Sequence, residues 1–216
     1  MLTFICVRVL CKESETCLHL SDSVSTQVPD GVYLLTNLEF LDLSSNGFQS
    51  VDVDFSGMTR LKTLKINDCL HTVEGEKMES MVLSETISAL HNLTMLDLSN
   101  SDLLALPVEI GALQNLETLE IDGCMLNELP ASISKLAKLK TLHAQNNNLT
   151  DIVQDVGEMQ SLTDLDFFNN YLTSVPDSIC TLPQLRKLFL SPDQDLTCPM
   201  SFDAFIASNN VQYNVE

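Results

Sequence analysis

Hydrophobic residues recur with a period of 23 along most of the chain. Counted from Leu116 as offset 0, they fall at offsets 0, 3, 5, 10, 13, 17 and 20. Units that begin at Leu93, Leu139 and Leu162 keep the same spacing. A fixed period of this length is typical of a solenoid, in which each unit packs only against its neighbours.

Each unit predicts a short strand followed by a helical return. Apolar residues at offsets 3 and 5 alternate with polar ones, which is the pattern of a half-buried strand. The spacing of offsets 13, 17 and 20 favours a brief helix below the same core. One unit alone leaves much of its apolar side exposed, so the units must stack and their strands must pair in parallel.

The register continues towards both ends of the chain. Less complete units begin at Glu15, Leu38, Leu61 and Leu185. A last unit, counted from Ser208, places Val211 and Tyr213 at offsets 3 and 5 and predicts a ninth strand.

The pattern LxxLxLxxNxLxxLPxxIxxL is almost complete in LTDLDFFNNYLTSVPDSICTL, which begins at Leu162. It resembles the leucine-rich repeat family over about residues 15 to 213. The resemblance implies an α/β fold: a right-handed solenoid with a parallel β-sheet on its concave face and short helical or irregular returns on its convex face. The unit length and the Leu-Pro step look like the class found in cytoplasmic scaffolds, including Ras-pathway repeat proteins. That step's prolines are Pro29, Pro107, Pro130, Pro176 and Pro199.

The period divides the chain into a capping segment at 1–14, eight repeats over 15–207, and a terminal partial repeat or cap at 208–216. The apolar opening MLTFICVRVLC allows a second interpretation as a poor signal peptide. The distance from Leu61 to Leu93 exceeds the period by nine residues, which places an insertion at about 71–82. This insertion is either tolerated drift or a protruding arm that contributes contacts.

Asparagine at offset 8 predicts a ladder of side-chain bonds inside the stack, since its amide can satisfy backbone groups at the strand-to-loop turn. Asn46, Asn147 and Asn170 occupy this offset. Cys69 and Cys124 stand at the same offset and are interpreted as tolerated substitutes.

The formal net charge is -19. Such acidity argues against nucleic-acid binding and against anionic membrane surfaces, and basic protein surfaces remain as candidate partners. The seven cysteines form no extracellular capping pattern, which favours a reducing, cytoplasmic location. A secreted protein is the alternative, since Asn92 and Asn148 begin glycosylation triplets.

Offsets 2, 4 and 6 face outward on the sheet and hold the candidate site. Carboxylates gather there around a histidine, beside an aromatic pair and a lysine, a composition typical of a protein interface with an electrostatic rim. The predicted partner-binding residues are Asp97, Glu120, Asp122, His143, Asp164, Asp166, Phe168, Lys187 and Phe189. A solvated acidic face is the plain alternative, and a metal or catalytic site is the weakest, because an open surface lacks the enclosure such groups need.

No phosphate loop, His-Glu-x-x-His or Cys-x-x-Cys motif is present. We therefore expect a protein that is not an enzyme, with no cofactor and no metal. The expected function is recognition of a protein partner with basic and apolar features on the concave face. The alternative is a sensing or regulatory segment of a larger signalling protein, immune receptor or enzyme.

Overall fold

The protein, described from a computed structural model over residues 16–23, 28–47, 54–68, 81–191 and 196–213, is an open solenoid with an entirely parallel sheet. Nine strands lie side by side in chain order. They are β1 (Cys17–His19), β2 (Phe40–Asp42), β3 (Thr63–Lys65), β5 (Met95–Asp97), β7 (Thr118–Glu120), β8 (Thr141–His143), β9 (Asp164–Asp166), β10 (Lys187–Phe189) and β11 (Gln212–Tyr213). Two further strands, β4 (Met81–Val82) and β6 (Leu103–Ala105), pair in a small second sheet.

Residues at equal offsets are partners across neighbouring strands, as the period predicts. Leu96 lies opposite Leu119, which lies opposite Leu142 and then Leu165. All four leucines are buried at 1% exposure or less. The hydrophobic period therefore fixes the register of the sheet, since any slip would move these side chains out of the core.

The ninth strand is present, but its register is two residues later than the period predicts. Tyr213, and not Val211, lies opposite Leu188. The return before it is a full α-helix, α1 (Phe202–Asn209), which ends at Asn210 in the left-handed conformation with φ of 51°. A longer return uses more residues before the next strand begins, so the strand starts later.

Six of the other described returns are 3-10 helices on the convex side, whereas the return at 55–61 consists of turns. Where the Leu-Pro step is present, proline precedes the helix and its carbonyl accepts the first helical bond, as Pro107 does from the Ile110 amide at 3.1 Å. Proline suits this position because its φ is fixed and its missing N–H is not needed there. The 3-10 helices are Asp30–Leu34, Glu85–Ala89, Val108–Ala112, Ala131–Lys135, Val156–Glu158 and Asp177–Thr181.

The predicted asparagine ladder is confirmed. The Asn147 Nδ2 donates to the Ile121, Ala144 and Gln145 carbonyls at 2.8, 3.1 and 3.2 Å. Asn46 and Asn170 make corresponding bonds in their own units. In the unit with Cys124, the thiol Sγ takes over one of these bonds and donates to the Leu98 carbonyl at 3.3 Å.

Part of the predicted insertion belongs to regular structure. Its last two residues, Met81 and Val82, form β4 and pair with β6. Leu83, Ile87 and Leu90 then return to the core as their offsets predict. The rest of the insertion, Cys69 and the capping segment at 1–14 lie outside the described residues. Within the described ranges, no helix has the length and apolar character needed to cross a membrane.

Candidate functional site

The outward side chains at offset 4 form one row across consecutive strands. Asp97 on β5 lies opposite Glu120 on β7, followed by His143 on β8 and Asp166 on β9. We call these four residues the acidic row. Neighbouring strands lie about 4.8 Å apart, so each side chain is within reach of the next. The predicted alignment of these residues is confirmed.

Backbone amides hold the aspartates of the row in place. Asp97 Oδ1 accepts the Ser99 amide at 3.0 Å, and Asp166 Oδ1 accepts the Phe168 amide at 2.9 Å. Each bond links the carboxylate to the turn that follows its strand, as aspartate commonly does at turns. The carboxylates are therefore held in place before any partner arrives.

Burial, with added repulsion from neighbouring carboxylates, raises the pKa of two carboxyl groups. Burial raises the pKa of Glu120 first, and repulsion from Asp97 and Asp122 raises it further, while His143 opposes the shift. Burial also raises the pKa of Asp166, with Asp122 adding to the shift. The row holds more negative charge than its surroundings compensate, so a cation placed over it would be attracted.

Asp122, at offset 6, joins this negative region from the next outward position. Its Oδ1 accepts the Gln145 amide at 2.9 Å, and its Oδ2 accepts the Gln145 side-chain amide at 3.1 Å. Both donors are neutral amides, so neither places a positive charge beside the row.

Asp164 and Lys187 were predicted as separate parts of the site, but they form an ion pair. The Lys187 Nζ lies 2.5 Å from Asp164 Oδ1, and Thr163 donates to the other oxygen at 2.8 Å. Burial opposes ionisation of Asp164, yet the bonds from Lys187 and Thr163 lower its pKa below the usual value. This pair adds no net charge to the site. The signal was available, since both residues stand at offset 2 in adjacent units.

The aromatic pair is more separated than the sequence indicates. Phe168 is 39% exposed and Phe189 is half-buried, yet within the described part of the chain rings meet only between His19 and Phe40 and between Phe202 and Tyr213. Phe168 lies beyond the end of β9, in the turn, whereas Phe189 lies opposite Asp166. The two rings therefore offer separate apolar contacts on either side of a carboxylate.

Tyr171 is an exposed aromatic residue that the repeat pattern did not single out. It is 63% exposed and follows Phe168 by three residues on the same loop. The repeat does not require an apolar residue at this offset, so a tyrosine there is a sequence signal for an exposed aromatic contact. Phe168 and Tyr171 together give this edge of the site two exposed rings.

In the other half of the sheet, positive and negative charges are more balanced. Lys65 separates Asp42 from Asp97 along the offset-4 column. His19 lies 3.4 Å from the Asp42 carboxylate and 4.7 Å from the ring of Phe40. The uncompensated negative charge is therefore confined to β5, β7, β8 and β9.

The geometry of the row suits recognition more than catalysis. No three His, Cys, Asp or Glu side chains in the described ranges are grouped closely enough to hold a metal ion. The row is a line of buried or half-buried side chains across one face of a sheet, and not the deep cleft in which catalytic groups usually lie. Its carboxylates, one histidine and flanking rings can accept hydrogen bonds, attract cations and pack against apolar groups.

Family models match the chain in two places. A model described as "Leucine-rich repeat region" matches residues 70–201, more than half of the chain, and one described as "Leucine Rich Repeat" matches residues 37–58. No curated protein matches the sequence significantly.

Many solved structures share the fold. A Leptospira interrogans LRR protein is 26% identical with a TM-score of 0.69, over 91% of this chain and 53% of its own. Internalin C2 of Listeria monocytogenes is 20% identical with a TM-score of 0.72, over 92% and 80%. PEPR1, in a structure of PEPR1-AtPEP1, is 27% identical with a TM-score of 0.64, over 74% and 22%. The chain thus spans about half the length of the Leptospira protein.

Proposed function

The chain belongs to the leucine-rich repeat family, and from that premise we propose that it recognises a protein partner through the concave face of its sheet. One observation carries the proposal: the acidic row lies on four consecutive strands, with its aspartates fixed by backbone bonds. A rigid sheet presents many side chains at low entropic cost, so binding to it needs little reorganisation.

The partner has a basic surface with apolar groups beside it. The acidic row and Asp122 attract positive charge, which accelerates association and makes it sensitive to salt. Phe168, Phe189 and Tyr171 supply apolar contacts next to that charge, and exposed aromatic residues are common anchors of interfaces. The Asp164–Lys187 pair lies between β9 and β10 and forms a neutral part of the rim.

A comparative pull-down tests this proposal. We expect a protein retained by the wild type to be lost from the double variant Glu120→Lys and Asp166→Lys. The matched control is Glu85→Lys with Asp177→Lys, which makes the same change in net charge at exposed positions of two returns. The proposal fails if both double variants retain the same proteins as the wild type.

A second proposal concerns the size of the complete protein. The Leptospira protein and PEPR1 are both longer than this chain, which covers 53% and 22% of them. This supports a role as the sensing or regulatory segment of a larger signalling protein, immune receptor or enzyme. A transcript that continues in frame beyond Glu216 would favour this role, and a stop codon at that point would count against it.

A further inference from the structure

A groove with a volume of about 390 Å³ lies on the side of the solenoid, away from the acidic row. It is lined by two segments, 127–131 and 150–155, which enter the returns of consecutive units. These residues follow the sheet by several positions in each unit, so the groove belongs to neither the concave face nor the core.

The groove has a local cause in the sequence. The unit that begins at Leu139 has Val153 where five other units have the proline of the Leu-Pro step. In this unit, which has neither the proline nor a side-chain cap of the kind Ser84 provides, the 3-10 helix starts late and runs only over Val156–Glu158, three residues in place of five. The chain before this helix is therefore irregular and does not fill the space beside the preceding return.

The same return packs tightly on its other side. A Cβ at Gly157 would lie 2.6 Å from the Ser178 carbonyl, so only glycine allows this approach. Ser178 Oγ also donates to the Gln154 carbonyl at 2.5 Å. By contrast, no hydrogen bond joins 127–135 to 150–158, both of which the structure describes throughout. The return thus leans towards the following unit and opens the groove towards the preceding one.

The groove has an apolar floor and an acidic rim. Leu129 and Ile152 are 7% and 1% exposed, and Val153, which packs against the core, is half-buried. Exposed carboxylates stand around them, and no lysine or arginine lines the groove. The rim carboxylates are Glu128, Asp151 and Asp155.

Positive charge on the described residues is segregated from this side. The described basic residues all stand at offsets 19 to 22 or 1 to 4, near the edge where each strand begins. Several of them are already paired there, as Lys140 is with Glu117 at 2.6 Å. The basic residues in the described part of the chain are Arg60, Lys62, Lys65, Lys135, Lys138, Lys140, Arg186 and Lys187. The carboxylates of the groove therefore keep a local excess of negative charge.

We propose that this groove is a second docking surface, which takes a lysine or arginine side chain from a basic segment of a protein partner. The aliphatic stem of the side chain lies on Val153, and its charged head meets Glu128, Asp151 and Asp155. Lysine and arginine bind in this way because their stems are apolar and only their heads need polar partners. A partner that reaches both surfaces gains affinity from the second contact.

Residue-resolved NMR with a basic probe tests the groove separately from the concave face. The probe is acetyl-tetra-arginine amide, titrated into the isotope-labelled protein at low salt. We expect the amide signals of 127–131 and 150–155 to shift with a saturable dependence on probe concentration. Shifts confined to the strands of the acidic row would overturn the groove and leave the concave proposal intact. Shifts confined to the groove signals would support the groove and contradict the proposal for the concave face.

A matched pair of triple variants distinguishes a specific binding site in the groove from general electrostatic attraction to the protein. The variant Glu128→Gln, Asp151→Asn and Asp155→Asn should weaken the probe affinity measured at the groove signals by roughly fivefold or more. The control Glu85→Gln, Glu109→Gln and Asp177→Asn makes the same charge change at helix starts outside the groove. We expect it to weaken binding by less than about twofold. Equal losses in the two variants would mean that only net charge attracts the probe, and would overturn the proposal.

Discussion

Replacing Asn147 by alanine tests the ladder that holds neighbouring units together. Asn147 is 5% exposed, and its Oδ1 accepts the Leu126 amide at 3.0 Å while its Nδ2 donates to the Ile121 carbonyl at 2.8 Å. Leu126 and Ile121 are fully buried. The Ala144 and Gln145 carbonyls, which Asn147 also reaches, keep other donors in Asn170 and Gly123. The substitution therefore leaves two buried backbone groups without a partner.

The magnitude follows from those two groups. Each buried unsatisfied group costs about 1 to 3 kcal/mol, so the variant should lose roughly 2 to 6 kcal/mol of its free energy of unfolding. Urea denaturation followed by far-UV circular dichroism measures the loss. The control is Asn127→Ala at an exposed position, which should change stability by less than about 0.5 kcal/mol. If Asn147→Ala costs no more than the control, the ladder does not stabilise the stack.

Three further predictions concern packing, charge and recognition. Gly157→Ala should lower the free energy of unfolding by about 1 to 3 kcal/mol, because its Cβ would clash with the following return. The control is Gly31→Ala, whose added Cβ would meet no atom within 4 Å and should leave stability nearly unchanged. Thermal unfolding compares the two variants. Glu120→Gln should raise the melting temperature at neutral pH, because a raised pKa means that ionisation of Glu120 destabilises the fold. The gain in melting temperature should vanish as the pH falls towards 4.5, where the wild-type carboxyl group is protonated. A gain that does not depend on pH would contradict this origin. Phe168→Ala or Phe189→Ala should each weaken partner binding by more than about 1 kcal/mol in calorimetry, and unchanged affinity in both would remove the aromatic contacts from the interface.

The period alone predicts the sheet and the acidic row, because burial forces equal offsets into register. Asn147 and its equivalents were predictable for a related reason, since a polar residue repeated inside an apolar stack needs backbone partners. The same logic fails at the last strand, where Tyr213 takes the place predicted for Val211. The period carries no information on whether a return is a 3-10 helix or a longer α-helix.

Features that depend on pairs of neighbouring units were missed, although the sequence carries signals for some. Asp164 and Lys187 have opposite charges at the same offset, so their ion pair was visible once the units were aligned. Val153 in place of proline was a sequence signal for the groove. The shape of the groove also depends on the close contact of Gly157 with the following unit, which the repeat pattern does not predict. The separation of Phe168 from Phe189 follows from turn geometry after β9, which hydrophobic spacing does not encode.

The association kinetics of the partner retained by the wild type test the central claim most directly. In stopped-flow measurements at two salt concentrations, Glu120→Lys with Asp166→Lys should lower the association rate constant and reduce its salt dependence, because the row steers a basic partner. The dissociation rate constant should change much less. The control Glu85→Lys with Asp177→Lys should keep most of the wild-type rate. An unchanged association rate in the concave variant, or an equal fall in both, would contradict recognition by the acidic row.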